Sequence, residues 1–173
     1  MIVFLDFETT GLDPDAGAEP IELAAVITDD SFNERAAFET LILPTQTWEH
    51  WDPAAHSMHA ASGLARECFR RGRSRIQAGN AFATFLALNT SGPLHLAGNS
   101  VHFDRMFLRR YFPAIERLFH HRHLDVSSVR MLAERVVPGA PQLHGEKPHR
   151  AMADVRRSIA ELQHWTAVLR GGA

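Results

Sequence analysis

Near its amino terminus the chain reads "IVFLDFETTGLDP" at residues 2–14, where an apolar run ends in two acids, Asp6 and Glu8, separated by one residue. Side chains at positions i and i+2 of a strand point to the same face, so these carboxylates are expected to stand side by side. Neighbouring carboxylates repel each other, and a bound cation relieves that repulsion. The stretch therefore predicts a β-strand whose end carries a metal site.

The pattern around this strand predicts an α/β fold. Three strand-like segments come first, at residues 2–7, 21–30 and 36–44, and the short, turn-rich connections between them favour an antiparallel meander. Further along, strand-like segments at 93–100 and 121–128 alternate with helical ones, which favours parallel pairing. The sequence thus predicts a mixed five-stranded sheet, with the first three strands antiparallel, flanked by helices.

Apolar periodicity predicts where the helices lie and which faces they bury. After a loop around Trp48 and Trp51, helices are expected in four places: residues 62–72, 75–89, 102–112 and from 150 onward. Three apolar stripes are expected to pack on the core: Ile76, Phe82, Phe85 and Leu86; Phe103, Phe107 and Tyr111; and Val155, Ile159, Leu162, Thr166 and Leu169. The Pro- and Gly-rich residues 136–148 are expected to form a surface loop.

Length, composition and charge narrow the class of protein. A chain of 173 residues predicts one domain, spanning residues 1–173. The formal net charge of −2 argues against a long basic groove for nucleic acid, although a local cluster or a bound cation can still attract a small anion. The single cysteine, Cys68, predicts a reducing, cytoplasmic location. No apolar run is long enough to span a membrane, so no membrane association is expected.

Two more acids and a histidine extend the metal hypothesis. Asp104 stands in the first turn of an apolar helix, and Asp154 directly precedes the apolar stripe of the last helix. His149 lies five residues before Asp154, so it can turn back toward this acid only if it precedes the helix. A loop histidine beside a metal-bound carboxylate suits a general base for water, whereas a histidine that merely caps the helix is the plainer alternative.

In combination, these residues resemble the DEDDh family of 3′→5′ exonucleases, and within it the oligoribonuclease branch. The ordered set is Asp6, Glu8, Asp104, His149 and Asp154. The matching stretches run from the first strand to the last helix: "DFETTGLDP", "IELAAVITD", "MHAASGL", "AGNSVHFDRMFL", "HHRHLDVSSV" and "PHRAMADVRRSIAEL". The resemblance implies a ribonuclease-H-like fold and metal-dependent hydrolysis of phosphodiester bonds.

The resemblance also implies a two-metal site. By it, Asp6, Glu8 and Asp154 hold one divalent cation, Mg²⁺ or Mn²⁺, and Asp6 and Asp104 hold a second. Such a pair can activate water on one side of a phosphodiester and neutralise the leaving oxygen on the other. His149 is then the general base, and Asp125 is a structural residue.

The substrate implied by the resemblance is very short single-stranded RNA, dinucleotides in particular, cut to 5′-mononucleotides. Leu12 matches the position that inserts between the last two bases. Four further residues match positions that close around the 5′-phosphate of such a substrate: His59, Ser100, Arg122 and Ser127. The family precedent also implies a homodimer.

The sequence departs from the branch at several positions. The tryptophan that usually stands just before the "HAASGL" match is missing, the nearest being Trp51. Thr10 stands where the branch usually has methionine, and His121 and His123 replace its usual tyrosines. These departures leave open a DEDDh exonuclease that acts on longer single-stranded DNA or RNA. A non-catalytic nucleotide-binding module is a second alternative, against which the complete acidic set argues.

Overall fold

A computed structural model describes residues 1–140 and 149–171. Most of the predicted surface loop at 136–148 lies outside the described residues. Among the helices that are described, none combines the length and apolar character needed to cross a bilayer.

The described strands form one five-stranded sheet in the order β3-β2-β1-β4-β5. Their bounds are β1 Ile2–Thr9, β2 Pro20–Thr28, β3 Glu34–Leu41, β4 His95–Gly98 and β5 Leu124–Asp125. β1, β2 and β3 pair antiparallel, whereas β4 pairs parallel with both β1 and β5. The predicted mixed sheet is therefore confirmed, and β1, with its two acids, lies at its centre.

Seven α-helices surround the sheet in the described part of the chain. They are α1 Pro53–Ala61, α2 Leu64–Arg71, α3 Arg75–Asn89, α4 His102–Tyr111, α5 Pro113–Glu116, α6 Val126–Val136 and α7 Ala151–Leu169, with a 3₁₀ turn at Trp48–His50. The prediction of a loop after Trp51 is wrong, because this region forms α1. Pro53 opens this helix, and the Asp52 carboxylate accepts hydrogen bonds from the N–H groups of Ala54 and Ala55.

Strand alternation separates two cores. Val3, Leu5 and Phe7 of β1 belong to the core on one side of the sheet, which α3 and α4 cover. Phe4 faces the opposite side, where it packs with the apolar stripe of α7. Asp6 and Glu8 follow Phe4 at steps of two residues, so their side chains point to the same face and lie on the α7 side of the sheet.

The predicted stripes of α3 and α7 are correct in their centres and wrong at their ends. Ile76 is 77% exposed because six residues before Phe82 place it about 120° away around the helix, off the face that Ala78, Phe82 and Leu86 bury. In α7, Val155, Ile159 and Leu162 are buried as predicted, but the stripe continues through Trp165 and Val168. The prediction for Thr166 and Leu169 is therefore wrong, because each step of three residues falls about 60° short of a full turn and rotates the buried face toward α6. There Trp165 and Val168 pack with Ala133.

Candidate active site

Four carboxylates converge where β1 meets α4 and α7. Oxygens of Asp6, Glu8 and Asp154 lie within 4.8 Å of one another. Asp104 Oδ1 accepts a hydrogen bond of 3.0 Å from the N–H of Phe7, the residue between the two acids of β1. The structure thus brings together the four acids that the sequence analysis proposed as metal ligands.

Local structure explains how acids far apart in the sequence meet. Asp104 lies in the first turn of α4, shortly after the parallel strand β4, and Asp154 lies in the first turn of α7. The N-terminal turn of a helix stabilises negative charge through its free N–H groups and its dipole. Both helices therefore present an acid at the end that faces β1.

Burial and mutual repulsion raise the pKa values of these acids. The pKa of Asp6 is well above its usual range because the side chain is buried and because Asp104 and Glu8 lie nearby. Burial, and then the charge of Asp154, raises the pKa of Glu8 to about 8. Burial likewise raises the pKa of Asp104 to about 7, although the hydrogen bond from Phe7 acts to lower it. A divalent cation would remove this repulsion, and carboxylate oxygens are the donors that hard cations prefer.

His149 completes this constellation. It precedes α7 and has a backbone φ of 50°, so it meets the condition for turning back toward Asp154. It lines a cavity of about 350 Å³ together with the four acids. Among the described residues the His149 side chain makes no hydrogen bond and does not cap α7. Its role as a base stays a prediction.

Three of the proposed substrate residues lie at or next to the cavity. Leu12 is 74% exposed and lines it, as an inserting side chain requires. Ser100 also lines it, with a φ of 51°, and its N–H donates to Ser127 Oγ at 3.2 Å. Ser127 Oγ in turn donates to Asn99 Oδ1 at 3.1 Å. The two serines therefore form one hydrogen-bonded unit at the cavity rim.

The other two proposed substrate residues lie elsewhere in the single chain. His59 is fully buried, and its Nε2 is 2.9 Å from the carbonyl oxygen of Thr9 and 3.9 Å from Glu8. That contact supports the end of β1, so His59 does not reach the cavity. Arg122 is exposed and lies outside the cavity lining. Its contribution to phosphate binding stays a prediction.

Comparison with known proteins places these features in a family. The model of the exonuclease family RNase_T matches residues 3–162. The oligoribonuclease of Cutibacterium acnes is 37% identical over 177 residues, covering 98% of this chain and 86% of its own. The oligoribonuclease of Coxiella burnetii is also 37% identical, covering 97% and 93%. The chain belongs to the oligoribonuclease branch of this exonuclease family.

Solved structures agree with the fold of this exonuclease. E. coli exonuclease I, in complex with a 5cy-dT13 oligonucleotide, superposes with a TM-score of 0.70 at 21% identity over 92% of this chain. Exonuclease I from Methylocaldum szegediense gives 0.69 at 20% over 93%. The chain spans 39% of the length of each of these proteins. The likeness confirms the predicted ribonuclease-H-like fold.

The exonuclease site contains residues that the sequence analysis did not assign. Asn99 joins Ser127 to α7, because its side-chain amide donates to Ser158 Oγ at 3.1 Å and to Glu161 Oε2 at 2.9 Å. Arg157 also lines the cavity. Asn99 could have been identified from its position just after a parallel strand, where binding residues collect. Arg157 carries no such signal, since one of two adjacent arginines on a helix is usually solvated.

The raised pKa values predict an unusual stability profile for the metal-free exonuclease. A carboxyl group whose pKa is raised by folding binds its proton more tightly in the folded state, so its stabilising effect is complete below the unfolded pKa. That effect is lost as pH rises through about 7 for Asp104 and about 8 for Glu8. Between pH 5 and pH 8 in EDTA, the Tm is expected to fall by roughly 5–10 °C.

Calorimetry of the wild type and of Glu8→Gln checks this expectation. The variant should show a smaller fall in Tm, because one of the groups that titrate in this window is gone. Added Mg²⁺ should raise the Tm of the wild type more at pH 8 than at pH 6, since the cation competes with protons for the carboxylates. A metal-free Tm that rises toward pH 8 would contradict the electrostatic description of the site.

Proposed function

We propose that this chain is a 3′→5′ exoribonuclease that hydrolyses very short RNA, dinucleotides in particular, to 5′-mononucleotides. The observation that supports it most is that four carboxylates and a histidine line one cavity in a chain whose oligoribonuclease relatives match nearly its full length. The histidine and the acids come from three segments of the chain, β1, the start of α4 and the start of α7, so their convergence is a property of the fold and not of one motif.

The acids fit two divalent cations, Mg²⁺ or Mn²⁺. Asp6, Glu8 and Asp154 would hold one of them, and Asp6 and Asp104 the other. Bound there, the cations would supply Lewis-acid activation of water and neutralisation of the leaving oxygen. Asp104 is 4% exposed and Glu8 is 7% exposed, so their charge is poorly hydrated and available to a cation.

The remaining residues of the cavity bind and orient the substrate. The His149 imidazole accepts the proton of the attacking water. Leu12, which projects from the loop after β1, offers an apolar surface to the terminal bases. The hydroxyl group of Ser100 lies at the rim, where it can donate to a phosphate oxygen.

The size and charge of the cavity favour a short substrate. A volume of about 350 Å³ is typical of sites for small molecules. Among the described residues that line it, Arg157 is the single arginine or lysine. A protein that tracks a long phosphate backbone uses several such cations along a groove. Affinity here would come from a few contacts to one end of a short chain.

Hydrolysis of 5′-phosphorylated RNA of two, five and twenty nucleotides, with matched DNA, tests the proposal. In Mg²⁺ or Mn²⁺ the kcat/KM for the dinucleotide should exceed that for the twenty-mer by about 10- to 100-fold, the worth of one or two charge-assisted contacts to the terminal phosphate. Asp6→Ala is the control for contaminating nuclease.

The alternatives are outcomes of the same experiment. Efficient trimming of the twenty-mer, in RNA or DNA, would replace the short-substrate proposal with an exonuclease for longer single strands. If every substrate remains intact and calorimetry shows no divalent-ion binding, the chain is a nucleotide-binding module that kept the fold.

A homodimer and a cytoplasmic location belong to the same proposal. Large apolar side chains that are more than half exposed on α6 support a second copy as partner: Met131, Leu132 and Val136. Sedimentation equilibrium should give twice the chain mass of 19.3 kDa, and a mass of one chain at micromolar concentration would contradict the dimer. The location is supported by the single cysteine, Cys68, which is buried.

A further inference from the structure

A fifth acid, Glu22, lies next to the site on the α7 side of the sheet. It stands opposite Glu8 in the β1–β2 register and is fully buried. Its charge contributes to the raised pKa of Glu8, so it adds to the repulsion in the cluster. A buried carboxylate of this kind is costly unless strong partners compensate it.

The partners of Glu22 are found at the start of α7. Its Oε1 accepts from Arg150 Nε at 3.1 Å and from Arg150 Nη2 at 2.8 Å. Its Oε2 accepts from the backbone N–H of Ala151 at 2.9 Å. Arg150, the residue before the helix, provides no side-chain cap, so a carboxylate from β2 satisfies this N–H group instead.

This pair fixes the backbone on the carboxyl side of His149. His149 has a φ of 50°, a left-handed conformation that costs energy for a residue with a side chain and persists only where its surroundings hold it. Within the described residues, the contacts of Arg150 and Ala151 with Glu22 are the nearest such anchor along the chain. Ala151 is also buried in the apolar cluster that contains Val155 and Ile159, so the hydrogen bonds from Glu22 act together with packing at the start of α7.

We propose that the Glu22–Arg150 pair is a positioning device that holds His149 over the catalytic cavity. Neither member of the pair lines the cavity, so the pair does not touch the substrate. Because Glu22 and Arg150 also act on the charge of Glu8, the His149→Ala background separates an effect through His149 from an effect through Glu8. The inference rests on the proposed function to the extent that His149 takes part in hydrolysis.

A double-mutant cycle tests this positioning role. It is measured on whichever RNA the wild type cleaves fastest, so the result does not depend on the proposed preference for dinucleotides. Arg150→Lys keeps the charge but loses the two-pronged contact. Its kcat is expected to fall about tenfold or more with little change in KM, since a small misplacement of a catalytic group has effects of this size. In the His149→Ala background, the same substitution should change kcat by no more than about twofold.

Two further measurements separate positioning from general stability. Arg156→Lys is the matched control, because Arg156 of α7 also binds a glutamate of the sheet, Glu34, through two hydrogen bonds of 3.1 Å, but at the surface. It should leave kcat unchanged. Glu22→Gln should reproduce the kcat effect of Arg150→Lys and, without any substrate, should accelerate hydrogen exchange of the Ala151 amide by about tenfold or more.

Several results would contradict the positioning role of the Glu22–Arg150 pair. The inference would be overturned if Arg150→Lys lowered kcat by the same factor in the wild-type and His149→Ala backgrounds, or lowered it in neither. An unchanged exchange rate of the Ala151 amide in Glu22→Gln would also overturn it. If the wild type cleaves no RNA, the proposed function fails, and the amide exchange alone then decides whether Glu22 anchors this segment.

Discussion

Asp154→Asn is expected to lower kcat for RNA hydrolysis by about 1,000-fold or more, because a cation's stabilisation of transition-state charge amounts to several kcal/mol and each 1.4 kcal/mol is a factor of ten. The substitution keeps the size of the side chain and removes one of three carboxylates whose oxygens lie within 4.8 Å. Initial rates at saturating Mg²⁺ measure the effect. If lost metal affinity were the whole cause, excess Mn²⁺ would restore the rate.

The same substitution should not weaken the fold of the metal-free protein. The charge of Asp154 raises the pKa of Asp6 and of Glu8, so its removal relieves repulsion. In EDTA the variant should therefore melt at or above the temperature of the wild type, and Mg²⁺ should raise its Tm less. Asp30→Asn, at an exposed aspartate in the β2–β3 turn, is the control that should keep full activity. Substantial turnover by Asp154→Asn would show that Asp154 is not a metal ligand.

The sheet and the acidic set could be predicted because both depend on local periodicity. Alternation in β1 alone places Asp6 and Glu8 on one face, and the positions of Asp104 and Asp154 at helix starts follow from the apolar stripes behind them. Helix α1 was missed because its residues show little periodicity. Its signal is the Asp52-Pro53 pair, which is typical of a helix start.

Other parts of the site depend on contacts that no local pattern contains. The position of His59 is decided by a hydrogen bond to Thr9, fifty residues away in the sequence, which holds the ring in the core behind the cavity lining. The contact of Glu22 with Arg150 spans 128 residues. From the sequence, Glu22 appears within a strand of apolar residues and Arg150 within a basic segment, and only the packing of α7 on the sheet joins them.

His149→Ala is the second substitution with a large expected effect. General-base catalysis contributes about 100- to 10,000-fold, so kcat should fall within that range while KM changes little. Unlike Asp154→Asn, this variant should bind metal as the wild type does, because His149 is not among the residues that form the cation site. Isothermal titration with Mn²⁺ and steady-state kinetics on the same preparation separate the two effects.

Asp154→Asn and His149→Ala remove groups with different roles in hydrolysis. The acids provide charge at fixed positions, whereas His149 provides a proton acceptor from an exposed backbone segment just before α7. Equal kcat in His149→Ala and in the wild type would show that another group accepts the proton, and lost Mn²⁺ binding would move His149 from base to ligand. His50→Ala, at an exposed histidine away from the catalytic cavity, should change neither quantity. A large fall in kcat with unchanged metal affinity would therefore assign proton transfer to His149 itself.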